Sequence, residues 1–247
     1  MNNFIISGFS DEIDANIDIQ FKNLKELGIT HFEPRGINEK NISTLVNDEV
    51  DMLKLKMSEY GIKASQIGSP IGKIKLTDDF EAHFESFKNV VAIAKKLDCK
   101  YIRVFSFYHD GDKWQETERA EVFEKLKKMI AYAKENDVVL MHENEKDIYG
   151  DTAERCLDLM KNLYCDNFKF VFDPANFVQC GVCTKEAYKM LNEYIEYMHI
   201  KDADENGKVV PAGYGIGNVE YILNSLKEKG YSGFLSLEPH LGDFYHI

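Results

Sequence analysis

The sequence contains few of the residues that mark linkers, disulfide frameworks or redox motifs. It has five prolines and 16 dispersed glycines in 247 residues, with no low-complexity run. Nothing in it is therefore typical of an interdomain linker. Five cysteines, an odd number in a chain of this length, do not favour a disulfide framework. The only close pair, Cys180 and Cys183, is weak support for a zinc or redox site, because no second pair or neighbouring histidine accompanies it.

Basic side chains and long apolar runs are also scarce. The formal charge is −12, from 30 Lys and Arg against 42 Asp and Glu. This balance disfavours electrostatic binding of nucleic acid or of an anionic membrane. The first apolar run, residues 4–6, follows no basic segment and is too short for an export signal or a membrane span. We therefore predict a cytoplasmic protein without nucleic-acid or membrane partners, folded as a single domain over residues 1–247.

Apolar runs and amphipathic helical patterns alternate along the whole chain. Helical patterns end at turn residues 28, 61, 98 and 137, and polar groups follow each of these turns about five residues later. The intervals of 33, 37 and 39 residues are typical of repeated βα units. The length fits one (β/α)8 TIM barrel, which needs about 250 residues. We therefore predict the α/β class and this barrel.

Too few residues follow the predicted eighth strand to form the last helix of the barrel. After the eighth apolar run, residues 234–237, only ten residues remain. The barrel wall beside them would then keep an apolar outer surface. We expect the tail or a partner subunit to cover this surface, and we predict a homo-oligomer, either a dimer or a tetramer.

Charged side chains follow four successive apolar runs in the second half of the chain. The run 138–141 leads into Glu143, and three later runs lead in the same way into Asp173, His199 and Glu238. The carboxyl ends of the strands in a parallel barrel meet at one rim, where such barrels keep their active sites. Carboxylates and imidazole without thiolates favour Mn²⁺, Mg²⁺ or Co²⁺ over zinc. We therefore predict a divalent metal site formed by these four side chains.

Two of the predicted ligands also suit proton transfer. Glu143 and Glu238 come from the predicted fifth and eighth strands, so their free oxygens could face a bound substrate from opposite sides. A cation stabilises negative charge that develops beside a carbonyl. Abstraction of a proton there, and return of a proton to the same or the neighbouring carbon, isomerises or epimerises the substrate through an enediolate.

These motifs resemble those of the xylose isomerase-like TIM barrels, which include sugar phosphate isomerases/epimerases and ketose 3-epimerases. The resemblance covers essentially the whole chain and is strongest at residues 142–144, 172–176, 198–202 and 237–239. It implies a divalent-metal-dependent sugar isomerase or epimerase. It also implies that Glu143, Asp173, His199 and Glu238 hold the metal, and that Glu143 and Glu238 transfer protons.

Two positions near the predicted site depart from the ketose 3-epimerase pattern. A histidine usually stands three residues after the sixth-strand Asp, where this chain has Asn176. Asn176 can hydrogen-bond a hydroxyl but cannot shuttle a proton in the same way. The loop that follows His199 lacks the usual arginine, since residues 201–205 contain none. The identity of the sugar, and whether it carries a phosphate, therefore stay open.

Five side chains are candidates for substrate binding. Glu33 after the second strand, Arg103 on the fourth and Lys201 after the seventh could bind sugar hydroxyls or a phosphate, or form ion pairs at the barrel mouth. Trp114, the only tryptophan, could form a wall over a sugar ring or anchor its loop. Asn176 is the fifth candidate.

Three other functions stay open at this point. An inosose-type dehydratase could use the same metal and bases, because both reactions begin with proton loss beside a carbonyl. A non-catalytic sugar-binding barrel could keep the ligands, since fold does not fix function. An endonuclease IV-like DNA-repair enzyme would need more ligands and a basic groove, which the charge of −12 disfavours.

Overall fold

A computed structural model describes residues 4–111 and 113–241. The barrel strands, numbered in chain order, are β1 Ile5–Gly8, β2 His31–Phe32, β3 Lys63–Ala64, β4 Tyr101–Val104, β5 Val139–Glu143, β6 Phe168–Phe172, β7 Ile195–Ile200 and β8 Phe234–Leu237. The helices are α1 Ile17–Glu26, α2 Asn47–Tyr60, α3 Phe80–Lys96, α4 Glu116–Glu135, α5 Ala153–Leu163, α6 Pro174–Gln179, α7 Thr184–Leu191 and α8 Val219–Glu228.

Parallel backbone pairing joins the strands into a barrel. One sheet has the order β1–β8–β7–β6–β5–β4, and β2 pairs with β3. Two further hydrogen bonds complete the ring. Glu33 N donates to Gly8 O at 2.8 Å, and Ile67 N donates to Tyr101 O at 2.8 Å. The predicted α/β barrel is therefore confirmed.

The alternation of side chains along the strands separates the barrel interior from its helical shell. A small interior cluster contains Val139, Met141, Val171 and Tyr197. Successive side chains of a strand point to opposite faces, so Glu143 lies on the same face as Val139 and Met141. The interior is thus apolar below and carries polar side chains at the C-terminal rim.

The short helix α6 was not predicted from the sequence. It begins directly after β6, with Pro174 in its first turn, and Asp173 caps it by accepting a hydrogen bond from Asn176 N at 2.9 Å. A helix of six residues is too short to display an apolar period. The Asp-Pro start was the only signal for it in the sequence.

The outer wall beside β1 and β8 is partly open among the described residues. Ile6 and Leu237 are 40 and 37% exposed. The prediction that no eighth barrel helix follows β8 falls mainly on residues 242–247, which lie outside the described part of the chain. The predicted oligomer that would cover this wall stays a prediction.

Two other expectations concern thiols and membranes. All five cysteines are free, and Cys156 is buried while Cys183 is exposed. Within residues 4–111 and 113–241, no helix has the length and apolar composition that crossing a bilayer requires.

The loop after β3 contains a glycine that a larger residue cannot replace without a backbone shift. Gly72 has φ +93°, and an added Cβ would lie 2.1 Å from Phe105 O. Gly61, after α2, has φ +69° with no atom within 4 Å of an added Cβ. We expect Gly61→Ala to cost about 1–2 kcal/mol of unfolding free energy through backbone strain alone. Gly72→Ala should cost roughly 3 kcal/mol or more.

Urea unfolding of both variants, followed by far-ultraviolet circular dichroism, checks this expectation. The two alanines share the strain of positive φ, so their difference isolates the close approach of Gly72 to Phe105. Equal losses in both variants would contradict it.

Candidate functional site

Four charged side chains meet at the C-terminal rim of the barrel. Glu143, Asp173, His199 and Glu238 each offer one ligand atom, and these atoms all lie within 4.8 Å of one another. They belong to β5, β7 and the residues that directly follow β6 and β8. All four are buried, with exposures between 0 and 4%. The four predicted metal ligands are therefore brought to one place, which we call the ligand quartet.

The spacing within the quartet fits one small cation. His199 Nδ1 lies 2.8 Å from Glu143 Oε1, 3.4 Å from Glu238 Oε2 and 3.8 Å from Asp173 Oδ2. Neighbouring oxygen ligands at about 2.1 Å from a Mg²⁺ ion lie roughly 3 Å apart. Three carboxylates with one imidazole suit a hard divalent cation. The quartet is thus a possible metal site, and its geometry leaves the metal identity open.

Burial and mutual repulsion shift the protonation of the quartet. Burial raises the pKa of Asp173 to about 6, with Glu143 and Glu238 adding to the shift and Lys201 opposing it. Burial alone would lower the pKa of His199, but the charges of Glu143 and Glu33 hold it well above its usual value. Without a cation, His199 therefore keeps a proton that compensates the carboxylates.

Glu33 lies beneath His199 and has protein partners for both carboxylate oxygens. Its Oε2 lies 3.2 Å from His199 Nε2 and accepts hydrogen bonds from Tyr197 at 3.0 Å and Ser236 at 2.8 Å. Its Oε1 accepts one from Gln66 at 2.8 Å. By holding Nε2, Glu33 turns Nδ1 of the imidazole toward the quartet. Glu33, which the sequence predicted as a substrate-binding residue, is thus placed where it orients the imidazole of His199.

Arg103 and Lys201 neutralise the carboxylates of the quartet. Arg103 Nη1 donates to Glu143 Oε2 at 3.1 Å and lies 3.9 Å from Glu238 Oε1. Lys201 Nζ donates to Asp173 Oδ2 at 3.2 Å and lies 3.5 Å from Glu238 Oε2. Two buried cations therefore lie between carboxylates that would otherwise repel each other.

Two asparagines fix the loops that carry Glu143 and Asp173. Asn144 exchanges two hydrogen bonds of 2.9 Å with the backbone N and O of Asp173. Asn176 Nδ2 donates to Glu143 Oε1 at 3.3 Å, and its Oδ1 accepts from Lys201 at 2.9 Å. Asn176 lies at the position where the resemblance to ketose 3-epimerases predicts a histidine. It couples two site residues through an amide that carries no charge.

A large cavity opens at the rim beside the quartet. The cavity has a volume of about 1170 Å³, and its lining includes Phe9, Lys73, Asn176 and Lys201. Trp114 is outside this lining. Its ring stacks on His109 at a centroid distance of 4.1 Å and meets Tyr149 edge-on at 5.1 Å. Trp114 therefore anchors its loop, and the ring of Phe9, 5.3 Å from that of His199, forms an apolar wall of the cavity.

Sequence reasoning missed Lys73 as a rim residue. It stands in the loop after β3, and its Nζ donates to Glu145 Oε2 at 2.7 Å. Neither residue belongs to a periodic pattern, since both follow strands within irregular loops. Only the general rule that rim loops carry function could have pointed to them.

A parallel α/β barrel with three buried carboxylates and a histidine at its C-terminal rim has the architecture of a rim-site barrel enzyme. The sequence matches the model of the xylose isomerase-like TIM barrel over residues 21–243. The chain therefore belongs to this family. A comparison with curated protein sequences finds no match.

Several solved structures share this fold at low sequence identity to the chain. The probable 3-DHS dehydratase AsbF from Bacillus anthracis superposes with a TM-score of 0.79 at 17% identity, with 96% of this chain and 92% of that chain covered. A D-tagatose 3-epimerase-like protein gives 0.78 at 17% identity, with coverage of 98 and 94%. The IolI protein, solved with a zinc atom, gives 0.77 at 18% identity, with coverage of 99 and 92%.

The quartet predicts which substitutions weaken binding of a divalent ion. Asp173→Asn removes one ligand charge, so we expect Mn²⁺ affinity to fall by about tenfold or more. Glu145→Gln is the matched control, because Glu145 lies on the same rim and pairs with Lys73 at 2.7 Å. We expect it to bind Mn²⁺ as the wild type does. Isothermal titration calorimetry measures both, and equal affinities would contradict the assignment.

Metal binding should also depend on pH. The raised pKa of His199 means that the metal-free site binds a proton that Nδ1 must lose on coordination. We expect Mn²⁺ binding to release protons and to weaken as the pH falls. Calorimetry in buffers of different ionisation enthalpy measures the release. Affinity that is independent of pH, with no protons released, would exclude this coupling.

Proposed function

We propose that this protein is a divalent-metal-dependent isomerase or epimerase. Its substrate would be a small sugar, keto-sugar or sugar phosphate, and the reaction would pass through an enediolate. Membership of the xylose isomerase-like family and the sugar-processing names of similar structures support the general class. The proposal that Glu143 and Glu238 transfer protons depends on which partners their carboxylate oxygens have.

In each of these two glutamates, the two carboxylate oxygens have different partners. Glu143 Oε1 and Glu238 Oε2 face His199 Nδ1, at 2.8 and 3.4 Å. Glu143 Oε2 accepts a hydrogen bond from Arg103 at 3.1 Å, and Glu238 Oε1 accepts one from Arg35 at 3.1 Å and lies 3.9 Å from Arg103. One oxygen of each residue can thus serve as a ligand while the other accepts or returns a proton. This division is the observation that carries the proposal.

The protein would take one proton from the substrate and return another to it. The carboxylate oxygen that faces away from His199 would remove the proton beside the carbonyl in one glutamate, and the other glutamate would return one to the same or the neighbouring carbon. The bound cation would supply Lewis-acid polarisation of the substrate oxygens. Arg103 and Lys201 lower the basicity of the carboxylates until substrate displaces them, and they add positive charge as the enediolate develops.

Other side chains would orient the substrate and limit side reactions. Asn176 offers an amide to a hydroxyl, and Lys201 donates to the same amide at 2.9 Å. The ring of Phe9 provides an apolar face for the carbon skeleton. Glu33 holds His199 through Nε2 at 3.2 Å, which keeps the ligand ring from rotating.

The proposal predicts exchange of a substrate proton with solvent. In deuterated water with Mn²⁺, we expect incorporation of deuterium into at least one ketose, aldose, phosphate or inosose of a panel. Glu143→Gln or Glu238→Gln should slow this incorporation by about 10²–10⁴-fold, because each removes one proton-transferring group. Glu186→Gln should keep it, because Glu186 is an exposed carboxylate that pairs with Lys189 at 2.8 Å outside the cavity. Proton nuclear magnetic resonance and mass spectrometry measure the label.

The same experiment separates the alternatives. Formation of an unsaturated product by loss of water from the substrate would identify a dehydratase, the activity named for one similar structure. Exchange retained in both Gln variants would refute the roles of Glu143 and Glu238. The protein would be a non-catalytic sugar-binding barrel if it bound sugars of the panel but exchanged no substrate proton with any of the added metal ions.

A further inference from the structure

His240, two residues after Glu238, has an unusual backbone conformation. Its φ is +44°, in the left-handed region that residues with a Cβ rarely adopt. Its backbone N–H donates to Glu12 Oε2 at 2.7 Å, so the chain after β8 is tied to the segment that follows β1. Strained residues of this kind persist only where their surroundings stabilise them, and they cluster at functional sites. The strain therefore calls for a functional reason.

The ring of His240 lies between two carboxylates. Nδ1 lies 3.1 Å from Glu12 Oε1, and Nε2 lies 3.2 Å from Glu238 Oε1. The side chain of His240 is 41% exposed, against 15 and 5% for those of Glu12 and Glu238. An exposed imidazole thus bridges two carboxylates that are themselves largely shielded. We call Glu12, His240 and Glu238 the rim clasp.

The ligand atoms of the rim clasp lie close enough together for a metal ion, but a permanent cation is already there. Arg35 Nη2 lies 3.3 Å from Glu12 Oε1, and its Nη1 lies 3.1 Å from Glu238 Oε1. A second metal ion would have to compete with this guanidinium for the same two oxygens. The clasp is therefore an ion-paired group, and its effect falls on Glu238.

The clasp acts on one oxygen of Glu238 only. His240 and Arg35 lie beside Oε1, at 3.2 and 3.1 Å. His199 Nδ1 and Lys201 Nζ lie beside Oε2, at 3.4 and 3.5 Å. Hard cations accept a carboxylate through one oxygen or through both. Two partners on Oε1 oppose the rotation that would bring both oxygens of Glu238 to the quartet.

We propose that His240 is a positioning residue that keeps Glu238 Oε1 outside the coordination sphere of the bound cation. This inference rests on the proposed function, in which that oxygen transfers a proton, and it adds the residue that sets its direction. The left-handed backbone of His240 is what places the ring between Glu12 and Glu238. Loss of the ring frees Glu238 to rotate and to bind the cation through both oxygens.

Two substitutions separate the ring contact of His240 from its backbone conformation. In His240→Gln, the amide nitrogen can take the place of Nε2 beside Glu238. In His240→Asn, the shorter side chain can take only the place of Nδ1 beside Glu12. Asn adopts the left-handed conformation more readily than Gln does. A purely structural role therefore predicts that His240→Asn is the better replacement, whereas the positioning role predicts that His240→Gln keeps more activity.

Deuterium exchange and thermal unfolding measure the two rankings. We expect exchange with the panel sugar to fall by about 10²-fold in His240→Asn, because the proton-transferring oxygen is misplaced. In His240→Gln we expect a loss of less than about tenfold. The melting temperature should rank the other way, with His240→Asn at least as stable as His240→Gln. Opposite rankings in the two measurements identify a positioning role.

The coordination of Mn²⁺ tests the inference without turnover. Crystal structures of the Mn²⁺-loaded wild type and of His240→Asn give the distance from each Glu238 oxygen to the ion. We expect one oxygen bound in the wild type and both bound in the variant. Calorimetry should show that the variant keeps or gains Mn²⁺ affinity. General damage to the rim would instead lower affinity and exchange together, which would overturn the inference.

The combined outcomes separate the clasp from the isomerase. Both oxygens bound in the wild type, or equal exchange in wild type and His240→Asn, overturns the role of His240. One oxygen bound in the wild type and two in His240→Asn, with no exchange in any sugar, leaves the role standing and removes the proposed isomerase. Exchange in the wild type that falls equally in both variants, with one oxygen bound throughout, does the reverse.

Discussion

The site depends on keeping three carboxylates together in a nearly dry interior. Glu143, Asp173 and Glu238 are at most 4% exposed. An uncompensated buried charge costs several kcal/mol, so these groups require cations close by. Arg103 and Lys201 supply them from neighbouring strand ends, at distances of 3.1 to 3.9 Å. The positions of these cations, and of the asparagines that tie the loops together, follow from this one electrostatic requirement.

The sequence predicted the site residues that follow the repeated strands of the barrel. It did not predict those in irregular loops, or the short helix α6. Glu143, Asp173, His199 and Glu238 were recognisable because each follows an apolar run, and runs at βα spacing place their ends on one rim. Lys73 lies in an irregular loop, and nothing about its neighbours distinguishes a rim lysine from a surface one. Helix α6 was missed because six residues do not make a period.

The direction in which a side chain points was harder to predict from the sequence than the strand end at which the residue stands. Glu33 follows β2 on the rim, and a polar residue there suggests contact with substrate. Its oxygens instead hold His199, Tyr197, Ser236 and Gln66. Trp114 likewise packs against His109 and Tyr149. Sequence spacing gives the strand end at which a residue stands, but partners from distant strands decide where its side chain points.

The two halves of the barrel contribute different chemistry to the rim. The quartet comes from β5 to β8, whereas Arg35, Lys73 and Arg103 come from β4 and from the loops that follow β2 and β3. Loops in the first half can therefore change in length while the ligands of the second half keep their register. Under the proposed function, such a division would let one barrel acquire new substrates through altered rim loops and retain a single way of moving protons.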